Sequence, residues 1–159
     1  MSKNLSEDGP GKRASANEFG TRQLFRRPAN PGRKAVLFIK LFGDNAIVVT
    51  GDERFVFAAS LDMDLLSLVA VEAFVSTVSS SGGVSVSIYN LTQTQDMLTA
   101  AVTIDSGEFT SCTAAVPVNI NDLTNTVEHC DLISCNVDGA GVDAMGLGVM
   151  LTFGLQPLP

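Results

Sequence analysis

Residues 84–108, VSVSIYNLTQTQDMLTAAVTIDSGE, contain the clearest strand pattern of this chain. The first residues alternate between two faces, with Val84, Val86 and Ile88 on one and Ser85, Ser87 and Tyr89 on the other. Such alternation predicts a β-strand with one buried face. A second apolar run, residues 97–104, follows after a polar break. The centre of the chain therefore predicts β structure.

Further strand candidates lie on both sides of this stretch. Apolar runs bounded by turn residues predict strands at residues 35–42, 46–49, 54–59, 69–78, 131–137 and 144–155. Residues 51–53 are a predicted turn, and residues 61–68 predict a helical turn or a bend. In residues 69–78, the side chains of Val69, Val71, Ala73 and Val75 would share one face. The count predicts an all-β fold, a jelly roll or β-sandwich of about eight antiparallel strands.

Glycine-rich segments give two hairpin predictions. The Ser-Gly-Gly segment of residues 79–83 predicts a hairpin into the central strand, because glycine tolerates the positive φ of tight turns. Residues 136–143 predict a hairpin tip between the last two strands. In the last strand, Gly146, Gly148 and Gly154 share one face. This pattern predicts close approach of another backbone or of an aromatic ring.

Length and composition favour one β-rich body. The chain has 159 residues, enough for a single core, and no run approaches the roughly 20 apolar residues of a membrane-spanning helix. Its start, MSKNLSEDGPGKR, lacks the apolar segment of a secretory signal, so we expect no export and no membrane partner. Three cysteines form no even framework, and we expect Cys112, Cys130 and Cys135 to be reduced and buried in a protein made in the cytoplasm.

The charge separates a basic arm from an acidic body. Nine of the ten basic residues lie in residues 1–40, and Arg54 is the only basic residue after them, against fourteen acidic ones. Residues 1–34 lack an apolar period, which predicts an extended arm, and residues 35–159 form the predicted body. The alternative is a linker without a fixed partner.

The arm mixes aromatic residues with arginine, as interface hot spots do. We predict that it binds a protein partner through eight residues: Phe19, Arg22, Leu24, Phe25, Arg26, Arg27, Arg33 and Lys34. A protein partner is favoured over nucleic acid, because the acidic body would repel a polyanion within a Debye length of about 8 Å.

Candidate metal and catalytic sites are weak. Residues 136–143 place oxygen ligands around a glycine turn, but Leu147 occupies the position where a calcium loop needs a bidentate Glu. His129 beside Cys130 lacks the remaining ligands of a zinc site and the third group of a catalytic triad. We therefore expect no metal and no cofactor.

Carboxylates and glycines also fall short of known site patterns. Asp62 with Asp64, and Asp105 with Glu108, are pairs of the type that glycosidases use, but an acidic surface produces such pairs without catalysis. Residues 105–108 more simply form a turn. The glycines at 82–83 and 139–141 lack the sequence context of a phosphate-binding loop. We predict that the protein is not an enzyme.

Several segments resemble a known β-sandwich domain. The resemblance is carried by NLT at residues 90–92, DML at 96–98 and TIDSGE at 103–108. Four other segments agree in order and spacing: residues 71–83, 113–120, 131–138 and 146–154. Together these resemble a virion domain of tailed bacteriophages that is found in minor capsid, decoration and tail-fibre proteins. The similarity spans residues 40–155, and the arm lies outside it.

The resemblance implies a structural role without catalytic residues, in a symmetric homo-oligomer, in particular a trimer. On this basis we expect a capsid decoration or cement protein on the outer surface of the head shell, with the major capsid protein as its partner. The alternative is a tail-fibre or other tail- or neck-associated receptor-binding module. A long repeat or coiled-coil shaft would favour a fibre, and the chain has none.

Overall fold

The computed structural model describes residues 32–156, and these form ten strands and two single turns of 3-10 helix. The strands are β1 (Lys34–Lys40), β2 (Gly51–Ala58), β3 (Ser67–Phe74), β4 (Val84–Asn90), β5 (Gln95–Asp96), β6 (Leu98–Ala100), β7 (Val102–Ile104), β8 (Asn119–Ile120), β9 (Leu132–Ala140) and β10 (Gly148–Gly154). The helical turns are Leu61–Met63 and Ser111–Thr113. Neither turn within residues 32–156 is long or apolar enough to cross a membrane.

The strands form antiparallel sheets, which confirms the predicted all-β fold. One sheet has the order β1-β10-β3, and a larger one has the order β2-β9-β4-β5, with β7 also pairing with β4. Strands β6 and β8 pair separately. The count exceeds eight because the apolar run of residues 97–104 divides into two short strands and because β5 and β8 are only two residues long. Jelly-roll connectivity stays a prediction.

Buried side chains of both larger sheets form one hydrophobic core. The alternation predicted for β4 is confirmed, since Val84, Val86 and Ile88 are buried and the residues between them are partly exposed. The same holds for the last strand, where Leu151 and Phe153 are fully buried. These strands have one face in the core because their apolar residues repeat with the period of a strand.

Both predicted hairpins are wrong. β3 and β4 belong to different sheets, and so do β9 and β10, so each glycine-rich segment crosses from one sheet to the other. Gly82 and Gly141 do adopt positive φ, at 71° and 62°. The two crossings lie side by side, with the main chain of Val142 bonded to Ser80 and Ser81 at 2.9 Å. Glycine permits the turn, but the burial of both sheets decides which strands pair.

Three local predictions also need correction. Residues 46–49 form no strand, because Ile47 makes only an isolated bridge to Met145. The predicted turn at residues 51–53 lies inside β2, where Glu53 has a φ of 51° and the register with β9 shifts. Val69 is exposed, because a bulge opposite Thr152 places Leu68 in the core instead. A bulge adds one residue and so inverts the alternation.

Candidate assembly surface and other candidate sites

Six of the eight predicted partner-binding residues, Phe19, Arg22, Leu24, Phe25, Arg26 and Arg27, lie outside the described residues. Arg33 and Lys34 lie within them. The Arg33 side chain donates to the main-chain carbonyls of Leu61 at 3.1 Å and Asp62 at 2.6 Å, both in the first helical turn. Lys34 is the first residue of β1 and is exposed. Their part in binding a partner stays a prediction.

The outer face of the three-stranded sheet is largely apolar. This face points away from the core and is formed by alternate residues of its strands: Lys34, Val36, Phe38 and Lys40 of β1, Gly148, Met150, Thr152 and Gly154 of β10, and Ala70, Glu72 and Phe74 of β3. Val36 is 59% exposed and Phe38 is 66% exposed. We call this surface the outer sheet face. Its two lysines and one glutamate lie around an apolar centre.

An aromatic pair organises the outer sheet face. The rings of Phe38 and Phe74 stack with centroids 5.2 Å apart across β10. The Phe74 ring lies over Gly148, where an added Cβ would be 2.1 Å from the ring. Lys40 lies 5.0 Å from the Phe74 centroid and also bonds the Asp44 carboxylate at 2.5 Å. The predicted close approach of an aromatic ring to this glycine is therefore confirmed, and the absence of a side chain at Gly148 leaves room for the Phe74 ring to stack on Phe38.

A buried carboxylate connects the loop after β4 to the loop before β9. Asp131 is buried, and one carboxylate oxygen accepts hydrogen bonds from the side chains of Asn90 at 2.9 Å and Gln93 at 2.5 Å. The same oxygen accepts from the main-chain N–H of Glu128 at 2.9 Å. Sequence patterns did not indicate this cluster, because Asn90 and Gln93 precede Asp131 by 41 and 38 residues. With its three donors in place, the carboxylate stabilises the loops around it.

Two of the three cysteines are exposed, so the prediction of three buried thiols is wrong. Cys112 and Cys130 are exposed, and only Cys135 is buried. Burial raises the pKa of the Cys135 thiol to about 12. The Cys130 sulfur lies 3.4 Å from Nε2 of His129, on an exposed loop. Among the described residues, no cluster of three or more His, Cys, Asp or Glu could hold a metal ion.

This arrangement predicts the alkylation pattern of the folded protein. At pH 8, iodoacetamide is expected to modify Cys112 and Cys130 and to leave Cys135 unmodified, because the thiolate is the reactive form and burial suppresses it. Mass spectrometry of proteolytic peptides measures the three sites separately. In guanidinium chloride all three should react alike. Equal labelling of Cys135 and Cys112 in the native protein would contradict the buried position of Cys135.

The candidate catalytic carboxylates bond to nearby loop atoms. Asp105 accepts from the main-chain N–H of Ala115 at 2.7 Å, and Glu108 accepts from the hydroxyl of Thr113 at 2.6 Å. The N–H of Glu108 also donates to the carbonyl of Asp105, which confirms the turn predicted there. These carboxylates connect the loop after β7 to the second helical turn.

The calcium-like segment lies mostly within β9 and bonds to neighbouring strands. Asn136 accepts from the N–H of Glu53 at 2.8 Å, and Asp138 accepts from Ser87 at 3.3 Å. Asp143, which has a φ of 61°, accepts from Ser80 at 3.3 Å. Asn136 thus bonds to β2 and Asp138 bonds to β4, the strands on either side of β9, so these oxygen atoms are used in separate contacts.

A cleft of about 600 Å³ lies along β3, between residues 69–72 and the segment that contains the second helical turn and β8. Its lining includes exposed Glu72, Asp122 and Cys112. Two carboxylates at the cleft disfavour an anionic ligand.

No family model, no curated protein and no solved structure matches the chain. The comparisons therefore add no function to the one that the residues themselves support.

Proposed function

We propose that this protein is a structural component of a tailed-bacteriophage virion, a decoration or cement protein on the outer surface of the head shell. The observation that carries the proposal is the outer sheet face, where Val36 and Phe38 are more than half exposed beside the stacked Phe74. Contiguous exposed apolar side chains are typical of a surface that another protein covers. In this proposal, the covering partner is the major capsid protein or a second copy of the chain.

The charge distribution supports a repeating, multivalent attachment. The basic residues of the arm would bind an acidic surface of the shell, while the acidic body remains outside. When copies are joined in an oligomer, binding of one arm to the lattice holds the other arms close to their own sites and so raises their effective concentration there. Attachment then needs no single tight interaction, and we propose that the copies also associate with one another, with a trimer as the form that the resemblance implies.

The candidate catalytic residues support a role without catalysis. Asp105 accepts a hydrogen bond from the main chain of Ala115, and Glu108 accepts one from the hydroxyl of Thr113. Groups used in this way stabilise loops and are not held ready for a substrate. We therefore propose binding and stabilisation of the shell, without enzymatic activity.

The test is the copy number of the protein in purified particles, measured by quantitative mass spectrometry against the major capsid protein. A ratio near one copy, or a small fixed number of copies, per capsid subunit is the expected result. A handful of copies per particle would support a tail or neck location instead. Absence from purified particles would refute a role in the virion.

Substitution of the outer sheet face gives a second test. We expect the double variant Val36→Ser, Phe38→Ser to bind shells at least about tenfold more weakly, because buried aromatic anchors carry most of the energy of an interface. Leu123→Ser is the control, since Leu123 is 94% exposed in the loop after β8 and is not one of the residues of the outer sheet face. Co-sedimentation with shells measures binding, and circular dichroism checks the fold. Equal binding by both variants would show that this face makes no contact with the shell.

A further inference from the structure

Strand β2 is an edge strand with apolar residues exposed on both faces. It is the last strand of the five-stranded sheet and pairs with β9 alone. Phe55 and Val56 point to opposite faces, and each is 39% exposed. Phe57 is half-buried, and Ala58 is exposed. A strand of this kind offers unpaired main-chain groups together with apolar side chains, which is the combination that favours pairing with another chain.

The other long sheet edges are protected. Strand β1 has a lysine at each end, which disfavours pairing with a further strand. Along β3, loop atoms occupy much of the outer main chain, as in the bonds from Leu68 N–H to the Asn125 carbonyl at 2.8 Å and from Ala73 N–H to the Ser111 hydroxyl at 2.9 Å. On β2, the charged residues Asp52, Glu53 and Arg54 and the irregularity between Gly51 and Phe55 all lie at the start of the strand, before its apolar residues. In the part of the chain that the structure describes, nothing pairs with the outer side of residues 55–58.

Main-chain bonds at the end of β2 show which of its groups point outward. The N–H of Ala59 donates to the Asp131 carbonyl at 2.7 Å, and the Ala59 carbonyl accepts from the N–H of Cys130 at 2.9 Å. Both main-chain groups of Ala59 therefore point toward the segment that leads into β9. Main-chain groups alternate in direction along a strand. The N–H and carbonyl groups of Phe57 therefore also point toward β9, whereas those of Val56 and Ala58 point away from the sheet.

We propose that β2 pairs with β2 of a second copy, antiparallel about a two-fold axis at Val56. In this register, the outward groups of Val56 bond to those of Val56 in the second copy, and Ala58 lies opposite Arg54. Phe55 then lies opposite Phe57 at the two non-hydrogen-bonded positions, where cross-strand side chains are closest. The five-stranded sheets of the two copies join into one continuous sheet.

The placement of charge on β2 also favours this register. Asp52, Glu53 and Arg54 all lie at one end of the strand. Antiparallel pairing about Val56 keeps the two acidic ends roughly 20 Å apart, because the two Glu53 residues are then offset by about six residues along the strand direction. An axis at Arg54 would instead place like charges opposite each other. Because the bodies are acidic, we expect added salt to strengthen the association by screening their repulsion.

The contact is independent of the proposed virion function. An isologous contact joins copies in pairs and cannot by itself close a trimer, so in a trimeric assembly it would connect neighbouring trimers. A dimer formed through β2 would exist whether or not the protein belongs to a particle. Failure of one proposal therefore leaves the other standing.

Cysteine cross-linking tests the register in the full chain. In a background with Cys112→Ser and Cys130→Ser, we expect Val56→Cys to form a disulfide-linked dimer on mild oxidation, because residues on the axis lie about 5.5 Å apart. Ala58→Cys is the matched control, since its copies would lie about 13 Å apart, too far for a disulfide. Cross-linking of both variants, or of neither, would overturn the register about Val56.

Light scattering tests the association itself. At about 0.1 mM, where a Kd of about 10 μM would give mostly dimer, the wild-type chain is expected to have at least twice the 16.7 kDa mass of one chain. Val56→Lys should halve the measured mass, because it places two lysines opposite each other at the axis. Val69→Lys is the control, since Val69 is similarly exposed, at 37%, in the other sheet. A monomeric wild-type chain, or an unchanged mass for Val56→Lys, would overturn the proposal, and circular dichroism checks that each variant is folded.

Discussion

Phe153→Ala is expected to lower the free energy of unfolding by about 3 to 5 kcal/mol, the range for removal of a buried phenylalanine. Phe153 lies on β10, the central strand of the three-stranded sheet, and is fully buried in the shared core. Its loss removes apolar contacts and leaves a cavity, because close-packed neighbours relax only in part. A single domain has roughly 5 to 15 kcal/mol of stability, so this variant should lose a large share of it.

Urea denaturation followed by circular dichroism measures this effect. Phe109→Ala is the matched control, because Phe109 is 57% exposed and its described main-chain contact, the bond from Val75 N–H to its carbonyl, does not involve the ring. We expect this control to lose less than about 1 kcal/mol. Equal losses for the two variants would contradict the central position of β10 in the core.

Asp131→Ala is the second substitution with a large expected effect, again about 3 to 5 kcal/mol, the sum of lost charge-assisted bonds and an unsatisfied buried donor. It removes a buried carboxylate oxygen that accepts three hydrogen bonds, from Asn90, Gln93 and Glu128. Asn90 is itself fully buried, so its amide would be left without this partner in a dry environment. An unsatisfied buried donor costs about 1 to 3 kcal/mol, in addition to the charge-assisted bonds that are lost.

Two further variants separate the components of this effect. Asp131→Asn retains an acceptor of similar shape and removes the charge, so we expect a smaller loss than for Asp131→Ala. Asp138→Ala is the control, because Asp138 is exposed on β9 and accepts one bond, at 3.3 Å, from Ser87. Denaturation of all three variants measures the differences. A loss for Asp138→Ala as large as that for Asp131→Ala would indicate that the buried cluster has no special role.

The strongest predictions from the sequence concerned strands with a regular period. The positions of Val84, Val86 and Ile88 in β4 and of Leu151 and Phe153 in β10 were predicted correctly, because alternation records which face of a strand is buried. The glycine at position 148 likewise indicated a close neighbour, which is the Phe74 ring. Where a bulge intervenes, as at Val69, the same alternation predicts the wrong residue, since the bulge itself leaves no clear mark in the sequence.

The candidate assembly surface could be predicted only in part. The apolar character of Val36 and Phe38 is visible in the sequence, but short apolar runs do not show whether both faces are covered. In the structure, one side of β1 packs on the core and the other bears these exposed residues. The same holds for β2, since the predicted strand at residues 54–59 does not show from its sequence that it lies at the edge of its sheet.

The sequence by itself determined the all-β class, the buried faces of the regular strands and the concentration of basic residues in residues 1–40, ahead of an acidic remainder. These properties depend on local periodicity and on composition, which need no knowledge of distant neighbours. Only the tertiary structure decided that residues 79–83 and the turn that follows β9 lead from one sheet to the other, that Asp131 gathers three donors, and that within residues 32–156 the outer side of β2 pairs with no other strand. Each of these depends on contacts between residues far apart in the chain. Which strands pair is decided by the burial of whole apolar faces between the two sheets.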